Sequence, residues 1–330
     1  MKQILMLGVG LVVVALVTVG FWERGSEARL ESIPVKTQNF GMRTNGGLFD
    51  PDSFETTEEW LGRSIDYTVQ FSGRRSPHAM NSAVFGLMAA EDASLPAYAD
   101  RLTLVISVPL AFSEPDENGP LDGREGLLAT AEGRHDTAYL RLAERLIEGG
   151  YGDAILRLGH EFNGGWPPWS SLGNEDAFIA AYRHVHDLFQ AQSAGFEFDW
   201  TAMRPDFATT APAAWPGIDY VDYIGLDVYW KSDPGDGWDS DRWQSQFLPQ
   251  LEAHLAFAKE RGLPVSFPEW GIEGDDVPEF IEQMHTWFNG LPPSGPGSLG
   301  YQAYFSGGRA FSLDNYVDAR RTFRQLFGAP

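Results

Sequence analysis

The sequence contains no cysteine. That excludes disulfides, thiolate metal sites, a cysteine nucleophile and a lipid-modified cysteine anchor. Positive charge is also scarce. The 24 Lys and Arg stand against 46 Asp and Glu, giving a formal net charge of −22. A surface of that sign repels nucleic acid and anionic lipid headgroups, and points to a neutral or cationic partner. Low-complexity tracts are missing too. A long uncharged apolar run occurs once, "ILMLGVGLVVVALVTVGFW" from Ile4 to Trp22.

Lys2 precedes that run and a polar linker, "ERGSEARLES", follows it. Residues 1–22 therefore read as a signal peptide or a short membrane anchor, and 23–37 as a linker. Ser26 and Ala28 offer the small residues that favour cleavage, whereas the length of the run favours retention in the membrane. Either way Lys2 stays inside and the rest is exported, to a periplasmic or extracellular location, secreted or anchored.

The whole chain is 43% hydrophobic, so residues 38–330 can bury a large core. Short β-rich runs alternate with segments of helical period. Strands are expected near 39–43, 67–71, 102–108, 154–158, 196–202, 223–229, 265–269 and 300–305. Helices are expected near 55–63, 82–90, 137–148, 176–191, 243–261, 277–287 and 317–326, with only a turn or two in "AAWPGIDYV". Strict alternation of this kind predicts an α/β fold, a (β/α)8 TIM barrel in one domain. A doubly wound open sheet usually carries a glycine-rich phosphate turn after its first strand, and "NFGMRTNGG" is not one.

Within the fourth strand Leu156 and Leu158 share one face, while Arg157, Gly159 and Glu161 share the other. Within the sixth, Ile224, Leu226 and Val228 oppose Tyr223, Gly225, Asp227 and Tyr229. The aliphatic faces should meet the helices and the polar faces the barrel interior. There Arg157, Glu161, Asp227 and Tyr229 could pair with one another, as buried polar groups must. Two glutamates end strands among aromatic residues, Glu161 in "LRLGHEFNGGWPPW" and Glu269 in "PVSFPEWGIEG". Converging carboxylates suit hydrolysis of a glycosidic bond, one protonating the leaving oxygen and the other attacking the anomeric carbon. His184 and His186 are two apart on a helix and do not share a face, so they read as packing residues and not metal ligands.

"RLGHEFNGGWPPW" resembles the acid/base segment of glycoside hydrolase family 26, best known for β-mannanases, with Arg157, His160, Glu161 and Trp166 in matching positions. "DYIGLDVYW" resembles its sixth strand through Asp227 and Tyr229, and "PEWG" its nucleophile strand through Glu269. The resemblance implies a (β/α)8 barrel, retention of configuration, and no metal or organic cofactor. It implies Glu161 as general acid/base and Glu269 as nucleophile. Arg157, His160, Asn163, Trp166, Asp227, Tyr229, Trp270 and Tyr304 are the supporting or substrate-binding candidates, and His78, Phe112 and Glu114 are those of the first three strands. The expected partner is a β-linked polysaccharide, by default β-1,4-mannan. A self-made exopolysaccharide, another β-glycan or xylan, and a non-catalytic carbohydrate-binding barrel are the alternatives.

Overall fold

The structure, a computed structural model, describes residues 39–44, 51–88, 97–117 and 119–329. The apolar run 4–22 and the linker lie outside the described residues. Among the described residues no helix is long and apolar enough to cross a membrane.

Eight parallel strands close into a barrel in sequence order. They are β1 (Phe40–Arg43), β2 (Tyr67–Phe71), β3 (Thr103–Val108), β4 (Ile155–Leu158), β5 (Glu197–Met203), β6 (Tyr223–Lys231), β7 (Val265–Glu273) and β8 (Leu299–Phe305). The outer layer contains α1 (Pro51–Leu61), α2 (Pro77–Met88), α3 (Gly123–Ala131), α4 (Asp136–Glu148), α5 (Glu175–Gln192), α6 (Leu248–Arg261), α7 (Pro278–Gly290) and α8 (Val317–Phe327). After β5 the chain makes only single turns, at Phe207–Thr210, Pro212–Ala214 and Ile218–Tyr220, as the weak periodicity there anticipates.

The expected helix 243–261 is divided. A π-turn over Trp243–Phe247 precedes α6. Pro249 has no N–H to return to the carbonyl four residues back, so the α-helical ladder cannot run through this point. Helix α3, "GREGLLATA", escapes sequence reading because two of its nine residues are glycine.

Strand alternation sorts the two faces. Leu156, Leu158, Ile224, Leu226 and Val228 join the core between barrel and helices. Inside the barrel Val69, Val105, Ile155, Tyr301 and Ala303 form a smaller apolar floor. On that floor stands a polar layer. Asp199 accepts hydrogen bonds from Thr201 Oγ1 (2.7 Å), Ser266 Oγ (2.5 Å) and the Tyr301 hydroxyl (2.5 Å). Gly225 faces this cluster because nothing larger fits: a Cβ there would lie 2.2 Å from Asp199 Oδ1.

Candidate active site

Above the polar layer, at the C-terminal ends of the strands, the barrel opens into a cavity of about 900 Å³. This is the end at which barrels of this type carry their chemistry. Arg157 organises its base. It is fully buried, and NH1 donates to Glu269 Oε1 at 2.6 Å and to Ser107 Oγ at 3.0 Å. NH2 pairs with Asp227 Oδ2, and Nε donates to Thr201 Oγ1 at 3.2 Å. Burial alone would lower the pKa of the guanidinium, but Asp227 and Glu269 outweigh it and raise the pKa.

Glu269 has both oxygens held. Arg157 takes Oε1, and the Tyr229 hydroxyl donates to Oε2 at 2.7 Å. Burial pushes this carboxyl up, yet the charge of Arg157 and the two donated hydrogen bonds hold it below its ordinary value. Glu269 is therefore ionised at neutral pH. Asp227 shares Arg157 but goes the other way. Burial raises its pKa well above the carboxylate norm, and the charge of Glu269 adds to the rise.

Glu161 is reached differently. Strand β4 ends at Leu158, and both Gly159 (φ 59°) and Glu161 (φ 53°) take left-handed backbone conformations. The alternation that turns Arg157 inward thus does not extend to Glu161, and Glu161 does not join the Arg157–Asp227 pair. Its Oε2 instead accepts from Trp166 Nε1 at 2.6 Å. Burial and the nearby Glu269 raise its pKa to about 7, against the opposing hydrogen bond from Trp166 and charge of Arg157. The two glutamates face one cavity with their protonation preferences pushed apart, as an acid and a nucleophile require.

The other expected residues divide. His160 lines the cavity beside Phe71, Trp166 and Trp169, with ring centroids 5.6, 5.8 and 5.3 Å away. Burial, then Arg157, lowers its pKa to about 3, so the imidazole is neutral. Trp166 lines the cavity and is 43% exposed. Asn163 is buried away from it: Nδ2 donates to Met203 O and Thr210 Oγ1, and Oδ1 accepts from Met203 N. Its amide fastens the β4 loop to the end of β5 and lines no part of the cavity.

Trp270 and Tyr304 also lie off the cavity, on the helix side. They pack on each other (4.9 Å between centroids) and on Phe323 of α8. Each is one residue from an inward side chain, Glu269 or Phe305, so alternation sends it outward. Of the first-strand candidates, Phe112 is buried against His135, while Glu114 pairs with Arg75 and His78 with Ser82 at the surface. His184 and His186 pair with Asp136 and Asp187, as packing residues would.

The cavity wall also includes residues that sequence reading missed: Phe71, Arg74, Ser107, Arg204, Lys231, Arg242, Phe305 and Phe311. Alternation could have found Ser107, two positions on from the floor residue Val105, and Phe305, two on from Ala303. Lys231, two on from Tyr229 at the end of β6, follows from the same rule, whereas Arg74, Arg204 and Arg242 lie beyond the strands, where no period applies.

The family model described as Glycosyl hydrolase family 26 matches residues 143–255. Over these residues the chain is similar to glycosyl hydrolase family 26. The matched segment includes Arg157, Glu161, Asp227 and Tyr229 but stops short of Glu269, whose case rests on the two matched residues that hold it. Endoglucanase H of Acetivibrio thermocellus is 32% identical over 207 residues, covering 58% of this chain and 22% of that protein. Mannan endo-1,4-beta-mannosidase of Bifidobacterium adolescentis is 30% identical over 132 residues, 37% of this chain and 12% of that protein. The chain thus spans under a quarter of either relative. Among solved structures, a Cellulomonas fimi endo-beta-1,4-mannanase double mutant aligns with TM-score 0.62 at 15% identity, over 89% of this chain and 69% of that one. The Bacillus subtilis mannanase BCman aligns with TM-score 0.62 at 17% identity, over 90% and 87%. At such identities the likeness shows the fold alone, the (β/α)8 barrel.

Proposed function

We propose that the chain is a retaining, endo-acting glycoside hydrolase of a β-linked polysaccharide, with Glu269 as nucleophile and Glu161 as general acid/base. The observation that carries this reading is the asymmetry of the two carboxyls: one held ionised by Arg157 and Tyr229, the other protonated up to about pH 7. Glu269 attacks the anomeric carbon while Glu161 gives its proton to the departing oxygen. Glu161, now a carboxylate, takes a proton from water, and that water releases the sugar from Glu269 with configuration retained. Trp166 and His160 offer faces to sugar rings. β-1,4-Mannan is the default substrate, and the longer match to an endoglucanase favours a β-glucan as the second choice.

Azide chemistry tests the roles. Glu161→Ala is expected to be crippled on polysaccharide, less impaired on an aryl glycoside, and rescued by azide to a glycosyl azide of retained configuration. Glu269→Ala is expected to be inactive on both. An inverted azide from Glu161→Ala, or wild-type turnover by Glu269→Ala, overturns the assignment. We further propose export directed by residues 4–22, leaving the enzyme secreted or membrane-held. Fractionation of cells expressing the full chain checks it, and a full-length soluble cytoplasmic protein refutes it.

A further inference from the structure

The net charge of −22 argues for a neutral or cationic partner, yet four cations line the cavity: Arg74, Arg204, Lys231 and Arg242. Two have local explanations. Lys231 pairs with Glu273 at 3.2 Å, and Arg74 lies over the Trp166 ring at 4.8 Å. Arg204 and Arg242 are different. Arg204 follows β5, and Arg242 ends a single helical turn, Ser240–Arg242. Their guanidinium carbons lie 3.7 and 5.6 Å from the centre of the same ring, Phe247, and Arg242 also lies 4.5 Å from Trp230.

Among the described residues neither makes an ion pair. Arg204 NH1 donates to the Gln246 carbonyl at 3.0 Å, while its Nε is buried without a partner. Burial, then repulsion from Arg242, lowers the pKa of Arg204 to about 10, and the attraction of Asp206 does not reverse this. Arg242 also borders a second pocket lined by Asp233, Asp236, Glu273, Asp275 and Asp276, and four of these carboxylates are engaged: Asp236 accepts from Asp233 N and Glu273 pairs with Lys231. Asp275 accepts from the backbone of Gly235 and Gly237, and Asp276 from that of Asp318 and Ala319.

Two like charges held near one aromatic ring, one with an unmade hydrogen bond, form a costly arrangement that an incoming anion relieves. Guanidinium forks match the oxygens of carboxylates and sulfate esters. We propose that Arg204 and Arg242 form a subsite for an anionic substituent carried by the polysaccharide, a carboxylate or a sulfate ester on a sugar near the scissile bond. This rests on the glycosidase reading and names its substrate class: an acidic β-glycan. The negative surface elsewhere then disfavours unproductive binding of such a polymer, so that its charge is accepted only at the cavity.

The probes are galactomannan, carboxymethyl-galactomannan and sulfated galactomannan of equal chain length. Retardation in native gels containing each polymer reads binding, and reducing-end release reads turnover. A chain of net charge −22 gains nothing from a polyanion by non-specific attraction, so retardation reports a dedicated site. An acidic polymer is expected to retard the protein more than the neutral one, and to be cut with kcat/KM at least about tenfold higher at low salt. That ratio is expected to shrink as salt screens the contact. Arg204→Gln with Arg242→Gln is expected to bring the ratio towards one, and Arg242→Lys to keep part of it. A purely structural role would lower both rates and leave the ratio alone. Preference for the carboxymethyl polymer alone names a carboxylate, and for the sulfated one alone a sulfate ester. Equal cutting with no extra retardation overturns the anion subsite and leaves the glycosidase reading standing. Retardation by an acidic polymer without cutting of any polymer supports the subsite and sinks the β-mannan default. Neither binding nor cutting overturns the subsite and that default together.

Discussion

Replacing Trp166 with phenylalanine keeps a ring beside Arg74 and removes the indole N–H that donates to Glu161 Oε2 at 2.6 Å. A hydrogen bond to a charged group contributes about 1.5–3 kcal/mol and one to its neutral form about 0.5–1.5, so the difference is about 1 kcal/mol. Trp166 is 43% exposed, so water replaces part of the lost donor and about half of that difference survives. The donor favours the charged carboxylate. Its removal therefore raises the pKa of Glu161 further, by roughly 0.4 unit at about 1.4 kcal/mol per unit. In the wild type, kcat/KM is expected to fall on the alkaline side near pH 7 as Glu161 loses its proton, and on the acid side below the ordinary carboxylate value as Glu269 gains one. In Trp166→Phe the alkaline limb moves up while the acid limb stays. The assay is kcat/KM from pH 4 to 9 at constant ionic strength, which reports the free enzyme whatever the loss of ring area does to the height of the profile. An alkaline limb that stays or moves down refutes the link between Trp166 and the acid.

Tyr229→Phe removes the 2.7 Å donor to Glu269 and is expected to lower kcat about ten- to a hundredfold with the circular dichroism unchanged; undiminished turnover on the true substrate rules out the contact. Arg157→Met leaves two buried carboxyls without their cation and is expected to cost about 3–5 kcal/mol in denaturant unfolding, so a loss under 1 kcal/mol would show the pair to be dispensable. His254 is fully buried, and burial lowers its pKa to about 4 although the Ile224 carbonyl at 2.8 Å opposes the shift. The unfolded chain then takes up this proton first, so stability is intact above about pH 6.5 and falls as pH drops towards 4, by about 2 kcal/mol at pH 5. His254→Gln is expected to lose less Tm than wild type between pH 7.5 and 5, and an equal loss in both would refute the linkage.

All eight strands were legible because each is a short run of β-formers bounded by loop residues, and the helix-facing aliphatic positions of β4 and β6 followed from alternation. The pairing of Arg157 with Asp227 followed from the same rule, whereas Tyr229 pairs with Glu269 and not with Glu161, which the left-handed turn takes out of the strand alternation. Trp270 and Tyr304 were misjudged because an aromatic beside a motif suggests a sugar platform, whereas the two-residue period makes each a core residue. Asn163 supports the loop that carries Glu161 and lines no part of the cavity, a choice that was not legible because sequence cannot say whether an amide in a loop meets ligand or backbone. Arg204 and Arg242 were invisible for another reason: 38 residues separate them, and only the closing of β5 and β6 side by side, with the π-turn behind, puts both over Phe247.

The left-handed turn at Glu161 makes the acid depend on the neighbouring strand. Glu161 N donates to Thr201 O at 2.9 Å, and Asn163 ties the same loop to Met203 in both directions, at 3.1 and 2.8 Å. The residue that follows β4 in sequence is thus anchored to β5, one residue before Arg204. For recombination of barrels from related parents this joint is indivisible. A crossover between β4 and β5 would pair an acid from one parent with an anchor from the other, and even matched residue types would leave the carboxyl misaimed. A block running from Ile155 through Arg204 carries acid, anchor and cation together, and is the smallest piece of this half of the mouth that can be exchanged intact.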